Sequence, residues 1–264
     1  VKGMDFLLHI LAGASVGFAI GVTGVGGGSL MTPLLLVFGY PAPVAIGTDL
    51  LYAAITKANG AYAHHRRGNV DWKIVILLAS GSIPVSVYLH AFFLDTSFQN
   101  SPQFEELLTK SLGIMLIITS IILIFKDYIR KKSIEEVPGF FMIPLHRHRS
   151  AITWTMGLLL GVCVTLSSVG AGAFGAAILL TIYSQTSVVK IIGTDIAHAV
   201  PLTFIAGLGY LFSGFVDNLL LISLLIGSLP AIHLGSKVSM HVPDKVLQHI
   251  LAIILFSLGA IYSL

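Results

Sequence analysis

Eight apolar runs follow one another along the chain, at about 4–39, 42–64, 72–94, 106–125, 150–183, 187–212, 218–236 and 244–263. A helix needs roughly 20 apolar residues to cross a bilayer, so six of these runs read as ordinary spans. The first and fifth are too long. The 36 residues of 4–39 would measure, as one helix, about 54 Å against a hydrocarbon core of about 30 Å. Each long run contains a glycine-rich interruption, Gly24-Val25-Gly26-Gly27-Gly28-Ser29 and Gly170-Ala171-Gly172-Ala173-Phe174-Gly175. A broken helix or a re-entrant hairpin is expected at both places.

Composition agrees with a chain made for lipid. Of its 264 residues 55% are hydrophobic and 10% charged, with a mean hydropathy of +0.92, whereas soluble domains carry about 25% charged residues. Too little polar surface is left for a water-soluble monomer, which excludes a disordered chain, a collagen-like rod and a soluble enzyme. Eight spans also leave no length for a separate soluble catalytic domain. The net charge of +3 comes mostly from short basic loops, which suit an anionic lipid surface. No solvated basic face for nucleic acid is visible. The lone cysteine, Cys163, lies in an apolar run, so neither an intrachain disulfide nor a cysteine-based metal site is expected. The first residues lack the pattern of a secretory signal, and a start at Val1 in place of Met points to a trimmed chain.

The two glycine runs belong to an internal repeat. A shift of 146 residues sets Gly24 on Gly170, Gly26 on Gly172, and Ile46-Gly47-Thr48-Asp49 on Ile192-Gly193-Thr194-Asp195. Without a gap, Gly68, Val70 and Asp71 then fall on Gly214, Val216 and Asp217, and Gly81, Ser82 and Pro84 on Gly227, Ser228 and Pro230. Chance overlap of apolar runs gives scattered Leu and Ala matches, not these polar signatures at one offset. The expected fold is all-α and polytopic: two inverted repeats, each a broken or re-entrant first segment plus three spanning helices. Repeat one covers 1–125, a basic cytoplasmic linker 126–149, and repeat two 150–264. If each long segment enters and leaves by one face, the halves have opposite orientation. Arg66, Arg67, Lys73, Lys126, Arg130, Lys131, Lys132, Arg147, Arg149, Lys190, Lys237 and Lys245 then share one side, opposite Asp95, Glu105 and Glu106. The positive-inside bias favours that arrangement over simple spans.

Inverted repeats with paired, glycine-broken membrane segments point to a secondary transporter whose site lies at the repeat interface. A helix that stops inside the bilayer leaves backbone N–H groups in need of partners, and its partial positive charge suits an anion. Candidate substrate-binding residues are therefore Gly24, Gly26, Gly27, Gly28 and Ser29 with Gly170, Gly172 and Gly175, helped by the hydroxyls of Thr48 and Thr194. The competing reading is that the glycines only let helices pack closely. Asp49 and Asp195 lie some 12 Å deep by helical rise, where a carboxylate needs a partner, a water-filled cavity or a proton. They are candidates for a coupling proton; a Thr-Asp pair capping a helix that starts after a Gly47 or Gly193 kink is the alternative.

Lys57, eight residues after Asp49, is either a counter-ion within the membrane or a side chain snorkelling towards the basic loop at 64–73, with snorkelling the simpler expectation. Its matched residue is Thr203. His198, one turn after Asp195, is placed either to relay a proton or simply to satisfy the carboxylate. The clusters His64-His65-Arg66-Arg67 and His146-Arg147-His148-Arg149 read as interfacial anchors, not metal ligands. No metal and no cofactor is expected.

The sequence Gly24-Val25-Gly26-Gly27-Gly28-Ser29, Pro33, Ala45-Ile46-Gly47-Thr48-Asp49 and Gly68-Asn69-Val70-Asp71-Trp72, echoed as Val169-Gly170-Ala171-Gly172, Gly193-Thr194-Asp195 and Gly214-Phe215-Val216-Asp217, resembles the TauE/SafE family of sulfite and organosulfonate exporters. The resemblance covers essentially the whole chain outside 126–149. Repeat two departs from repeat one at Phe174 and Asn218, so the two half-sites are not equivalent. The resemblance implies export of sulfite, sulfonates or related sulfur anions across a prokaryotic inner membrane. Joined to the residue-level reading, it gives a multi-pass transporter with cytoplasmic basic loops, alternating access and coupling to protons. A passive anion channel and a membrane-embedded metalloenzyme are the rivals.

Overall fold

In the computed structural model, residues 2–23, 30–93, 96–99, 101–134, 148–238 and 244–263 are described, and helix is the regular element throughout them. The helices are α1 (Lys2–Thr23), α2 (Met31–Val37), α3 (Ala42–Arg66), α4 (Trp72–Phe93), α5 (Thr96–Gln99), α6 (Pro102–Ile134), α7 (Arg149–Ser167), α8 (Ala173–Ile182), α9 (Val188–Phe212), α10 (Asn218–Val238) and α11 (Asp244–Ser263). Moving α3 by 146 residues reproduces α9 at both ends, and the same shift starts α4 where α10 starts.

Both long segments double back. In the second, α7 ends at Ser168, whose φ of 59° is left-handed, and Gly170 and Gly172 (φ 124° and 136°) complete a turn that only glycine adopts without strain. The chain then runs through α8 until the Tyr183 hydroxyl is 2.9 Å from that of Thr153, with its ring beneath the Arg149 guanidinium. Tyr183 has thus returned to the level at which α7 began. In the first, Tyr40, just beyond α2, meets His9 near the start of α1 at 2.9 Å. The turn of that hairpin, Gly24 to Ser29, lies outside the described residues. At 10 residues, α8 is about 15 Å long, half the thickness of a hydrocarbon core.

Helix directions follow from the close contacts. Gly47 of α3 lies against Tyr210 of α9 and the Phe215 carbonyl beyond it, while Gly193 of α9 lies against His64 of α3 and the Asn69 carbonyl. The matched helices α3 and α9 therefore run antiparallel. So do α6 and α11, where Gly113 meets Ser263 and the Ser120 hydroxyl donates to the Ala252 carbonyl. By contrast α1 runs parallel to α10 (Gly13 at Leu224, Gly17 at Ser228, Gly21 at Ile232), and α7 parallel to α4 (Gly157 at Leu78, Gly161 at Ser82). One alternation of directions satisfies all four pairings, and it makes repeat two an inverted copy of repeat one. It also gathers Arg66, Arg67, Lys73, Arg149, Lys190 and Lys237 at one end of the bundle, where Lys190 Nζ stands 3.8 Å from Asp71 Oδ2. Glu105 lies at the other end, facing the Ala42 amide at the start of α3.

The outside is apolar and the interior holds the polar groups. Leu11, Ile76, Ile114, Ile222, Ile253 and Phe256 are exposed, whereas Asp49, Thr48, Thr194, Asp195, His198 and Ser82 are buried. That inversion is what a lipid solvent selects, and this is a multi-pass membrane protein. Among the described residues five helices are long and apolar enough to cross: α4, α6, α7, α9 and α10, over Trp72–Phe92, Pro102–Phe125, Arg149–Ser167, Val188–Phe212 and Asn218–Val238. The run at 42–64, expected to be an ordinary span, is long enough as α3 but not apolar enough. It carries Asp49, Lys57 and a basic last turn, and holds the first two in the interior.

Glycine makes these crossings close. A Cβ on Gly227 would meet the Ile10 carbonyl oxygen and, at 2.8 Å, the Ala14 amide, both unyielding backbone. Gly227→Val should destabilise the protein by about 1–3 kcal/mol, read as a lower melting temperature in detergent. Gly60→Ala is the contrast: its Cβ would meet only Ile196 Cγ2, at 3.8 Å, and the helix preference for Ala should raise the melting temperature slightly.

Candidate functional site

The break between α7 and α8 leaves backbone groups that the helices cannot pair themselves. Part of the demand is met locally: the Gly175 amide donates to the Gly170 carbonyl and the Ala176 amide to the Gly172 carbonyl, both at 3.0 Å. A further part is met by the other repeat and by α9. Lys57 of α3 is buried and its ammonium donates to the Ala171 carbonyl at 3.0 Å. Lys57 thus points into the break and does not snorkel to the basic loop. The Ala171 carbonyl in the turn needs a donor, and it holds the ammonium inside the bundle. Its charge acts on both Asp195 and Asp49, on Asp195 more strongly.

The two aspartates face the two hairpins. Asp195 sits on the first turn of α8, where a Cβ on Gly175 would collide with its Oδ1, and the Gly172 amide faces the same carboxylate. Asp49 Oδ2 accepts a hydrogen bond from the Thr32 hydroxyl of α2 at 2.5 Å, and the Ser168 hydroxyl lies beside it without forming a well-aligned bond. Oδ1 of each aspartate is buried without a hydrogen-bond partner among the described residues. His198 joins the cluster from α9: its Nε2 is 2.8 Å from the Ser82 hydroxyl, its Nδ1 has no partner among the described residues, and it feels the Lys57 charge. Among the described residues no group of three His, Cys, Asp or Glu side chains is arranged to hold a metal ion.

Gly170, Gly172, Gly175, Asp49, Asp195, His198 and Lys57 are thus brought together around one break. Gly24, Gly26, Gly27, Gly28 and Ser29 lie outside the described residues. Thr48 and Thr194 are drawn elsewhere. Thr194 Oγ1 accepts from the Asp71 amide at 2.9 Å, and Thr48 Oγ1 from the Asp217 amide at 3.4 Å, so each ties its helix to the inter-helix turn of the opposite repeat. The helix does not restart at either threonine: α3 and α9 continue through Gly47 and Gly193, whose missing side chains admit the opposing turn. The caps sit instead on Asp71 and Asp217, whose carboxylates accept the Lys73 and Leu220 amides at the starts of α4 and α10.

Sequence reasoning passed over Thr32, Ser82, Ser168 and Tyr52 as members of the cluster. Ser82 and Ser228 were visible as a matched pair, and the same offset pairs His198 with Tyr52, which interacts with Ser228. Following that pairing would have brought both into view.

Compared with known sequences, the chain matches the model of the family described as "Sulfite exporter TauE/SafE" over residues 9–262. The chain belongs to the TauE/SafE family. Among similar proteins, the "Probable membrane transporter protein YjnA" of Bacillus subtilis is 37% identical over 228 residues, 86% of this chain and 87% of the relative. The "Probable membrane transporter protein YdhB" of the same organism is 30% identical over 236 residues, 88% and 89% of the two chains. In an archaeon, the "Probable membrane transporter protein MJ0441" of Methanocaldococcus jannaschii is 32% identical over 142 residues, about half of each chain. No solved structure matches the chain. TauE/SafE membership makes this a membrane transporter of that type.

Two outcomes test the site. Lys57→Met leaves two buried carboxylates unanswered and should lower stability by about 3–5 kcal/mol; adding Asp195→Asn should restore a large part of it, measured as a double-mutant cycle of melting temperatures. Thr194→Val should cost about 1 kcal/mol, and more than Thr48→Val, whose bond to the opposite turn is longer.

Proposed function

We propose that this TauE/SafE protein is a secondary transporter that exports small sulfur-containing anions, sulfite or organosulfonates, by alternating access coupled to protons. The single observation that carries the reading is the α7–α8 break buried in the bundle, with its backbone ends facing charged side chains of both repeats. A helix end held inside a membrane needs partners for its backbone groups, and its amides favour an oxyanion. The family's description supplies the sulfur chemistry. The inverted halves supply the two arrangements that alternating access needs.

The aspartates around Lys57 are the groups that exchange a proton, and they separate a carrier from a passive pore, which uses the same amides without titrating carboxylates. We place the protein in the inner membrane with its basic end towards the cytoplasm, following the positive-inside bias.

Proteoliposomes containing the purified protein should take up or release radiolabelled sulfite or a sulfonate, with a rate that responds to an imposed pH gradient. Gly172→Leu fills the turn with a side chain at a left-handed position and should reduce flux to background. Flux of equal size in that variant, or flux blind to the pH gradient, removes the proposal or turns the carrier into a channel respectively.

A further inference from the structure

The first turn of α8 already has a carboxyl group against it. Asp195 comes from α9, is 1% exposed, and brings Oδ1 so close to Gly175 that a Cβ there would collide with it. That oxygen has no hydrogen-bond partner among the described residues, and the Gly172 amide faces the carboxylate. The first amides of α8 are short of acceptors inside the helix, and the positive end of its dipole favours a negative group there. A solute anion drawn to the same amides must compete with a carboxylate tethered beside them.

The surrounding charges sharpen that competition. From α3, Lys57 and Asp49 face the site. From α9 itself there is His198, held to Ser82 of α4. The titratable groups of α4 stand towards its ends, Lys73, Tyr88 and His90, α7 contributes Arg149 at its start and half-buried Cys163, and α6, which packs against α8, has Glu105, Glu106 and Lys110 in its first turns and none between Lys110 and Lys126. The sequence of α8, Ala173–Ile182, has none. One ammonium therefore answers two carboxylates, and the cluster is net negative when all three are ionised. Adding a solute anion to that cluster in a medium of low dielectric is unfavourable; one proton on Asp195 removes both the charge and the competitor.

We propose that the first turn of α8 is a subsite for one oxyanion group, occupied in the empty protein by the Asp195 carboxylate, and that Asp195 must bind a proton and withdraw before the solute enters. The inference rests on the transport reading and adds a direction to it. The carboxylate becomes a carboxylic acid as the anion binds, both having come from the same aqueous side. Release of the anion returns the carboxylate to the amides and frees the proton. Proton and anion move together, as symport, so export runs down the anion's own outward gradient and carries protons out with it, and exchange in opposite directions does not occur.

The test uses methanesulfonate and sulfate, neither of which titrates near neutral pH, with the full-length protein in detergent for binding and in vesicles for flux. For the wild type, affinity should fall by about tenfold per pH unit on the alkaline side, and inward anion flux should alkalinise the external medium. Asp195→Asn should bind at all pH values with a nearly flat profile and carry no protons. Asp195→Ser, which also removes the titrating competitor and leaves the subsite open, should likewise bind with a nearly flat profile, and it decides the matter where the Asn variant fails to fold. An unchanged pH slope in these variants, or protons moving against the anion in the wild type, overturns the inference and leaves transport standing. Failure of the wild type to bind or move either anion at any pH overturns the transport reading and this inference together.

Discussion

An ammonium and two carboxylates held away from water determine how the rest of this bundle is arranged. A charged group facing lipid is costly by several kcal/mol, so Asp49, Lys57 and Asp195 must all turn inward. Because they stand on α3 and α9, those two helices are forced into the middle, in contact and antiparallel. The apolar helices α4, α6, α7 and α10 are then left to form the surround, and their outward faces carry the Ile, Leu and Phe side chains that lipid tolerates. The interior is close because glycine lets it be: Gly47 and Gly193 admit the turns of the opposite repeat, and Gly13, Gly17, Gly157 and Gly161 admit neighbouring backbones. Small residues of this kind stand in for the hydrophobic driving force that a bilayer does not provide.

Neither repeat is self-sufficient. The carbonyl exposed by the break in repeat two, that of Ala171, is answered by Lys57 of repeat one. The amides that begin α4 and α10 lie in turns tied to Thr194 and Thr48 of the other half. A buried backbone group without a partner costs roughly what a lost hydrogen bond costs, so separating the halves would expose several such costs at once. The two halves therefore divide the labour. Lys57 faces Thr203 across the repeat, Tyr52 faces His198, and Gly172 is followed by Phe174 where repeat one has Gly28. Only one half brings the cation, and the other half brings the turn that the cation satisfies.

Much of this was legible before any coordinates. The 146-residue offset announced equivalent helices, and the excess length of the first and fifth apolar runs announced hairpins; Thr153 with Tyr183 and His9 with Tyr40 close those hairpins. Asp49 and Asp195 stood out because intramembrane carboxylates are expensive and matched. What the sequence withheld was partnership across the chain. Lys57 read as a snorkelling side chain because the nearby basic loop is close in sequence, while Ala171, which holds it, is 114 residues away. Thr48 and Thr194 read as solute ligands or local caps because each precedes an aspartate, yet their acceptor oxygens serve turns of the opposite repeat. The packing glycines lay scattered among apolar residues at helical spacing, where no local pattern says which neighbour comes near.

The departures from symmetry bear on how such a bundle opens. A perfect inverted repeat would close both ends equally and favour neither. Here the basic end is held by the Thr194–Asp71 amide bond at 2.9 Å, reinforced by Lys190 at 3.8 Å from the Asp71 carboxylate. The opposite end has the equivalent Thr48–Asp217 bond stretched to 3.4 Å, and the residue matching Lys190 is Val44, which brings no charge. Hydrogen bonds weaken towards that distance, so parting α3 from the turn before α10 costs less than parting α9 from the turn before α4. A two-state exchange in which the halves trade roles needs such a bias to be small and reversible, and a single stretched hydrogen bond plus one exposed ion pair is a difference of that size.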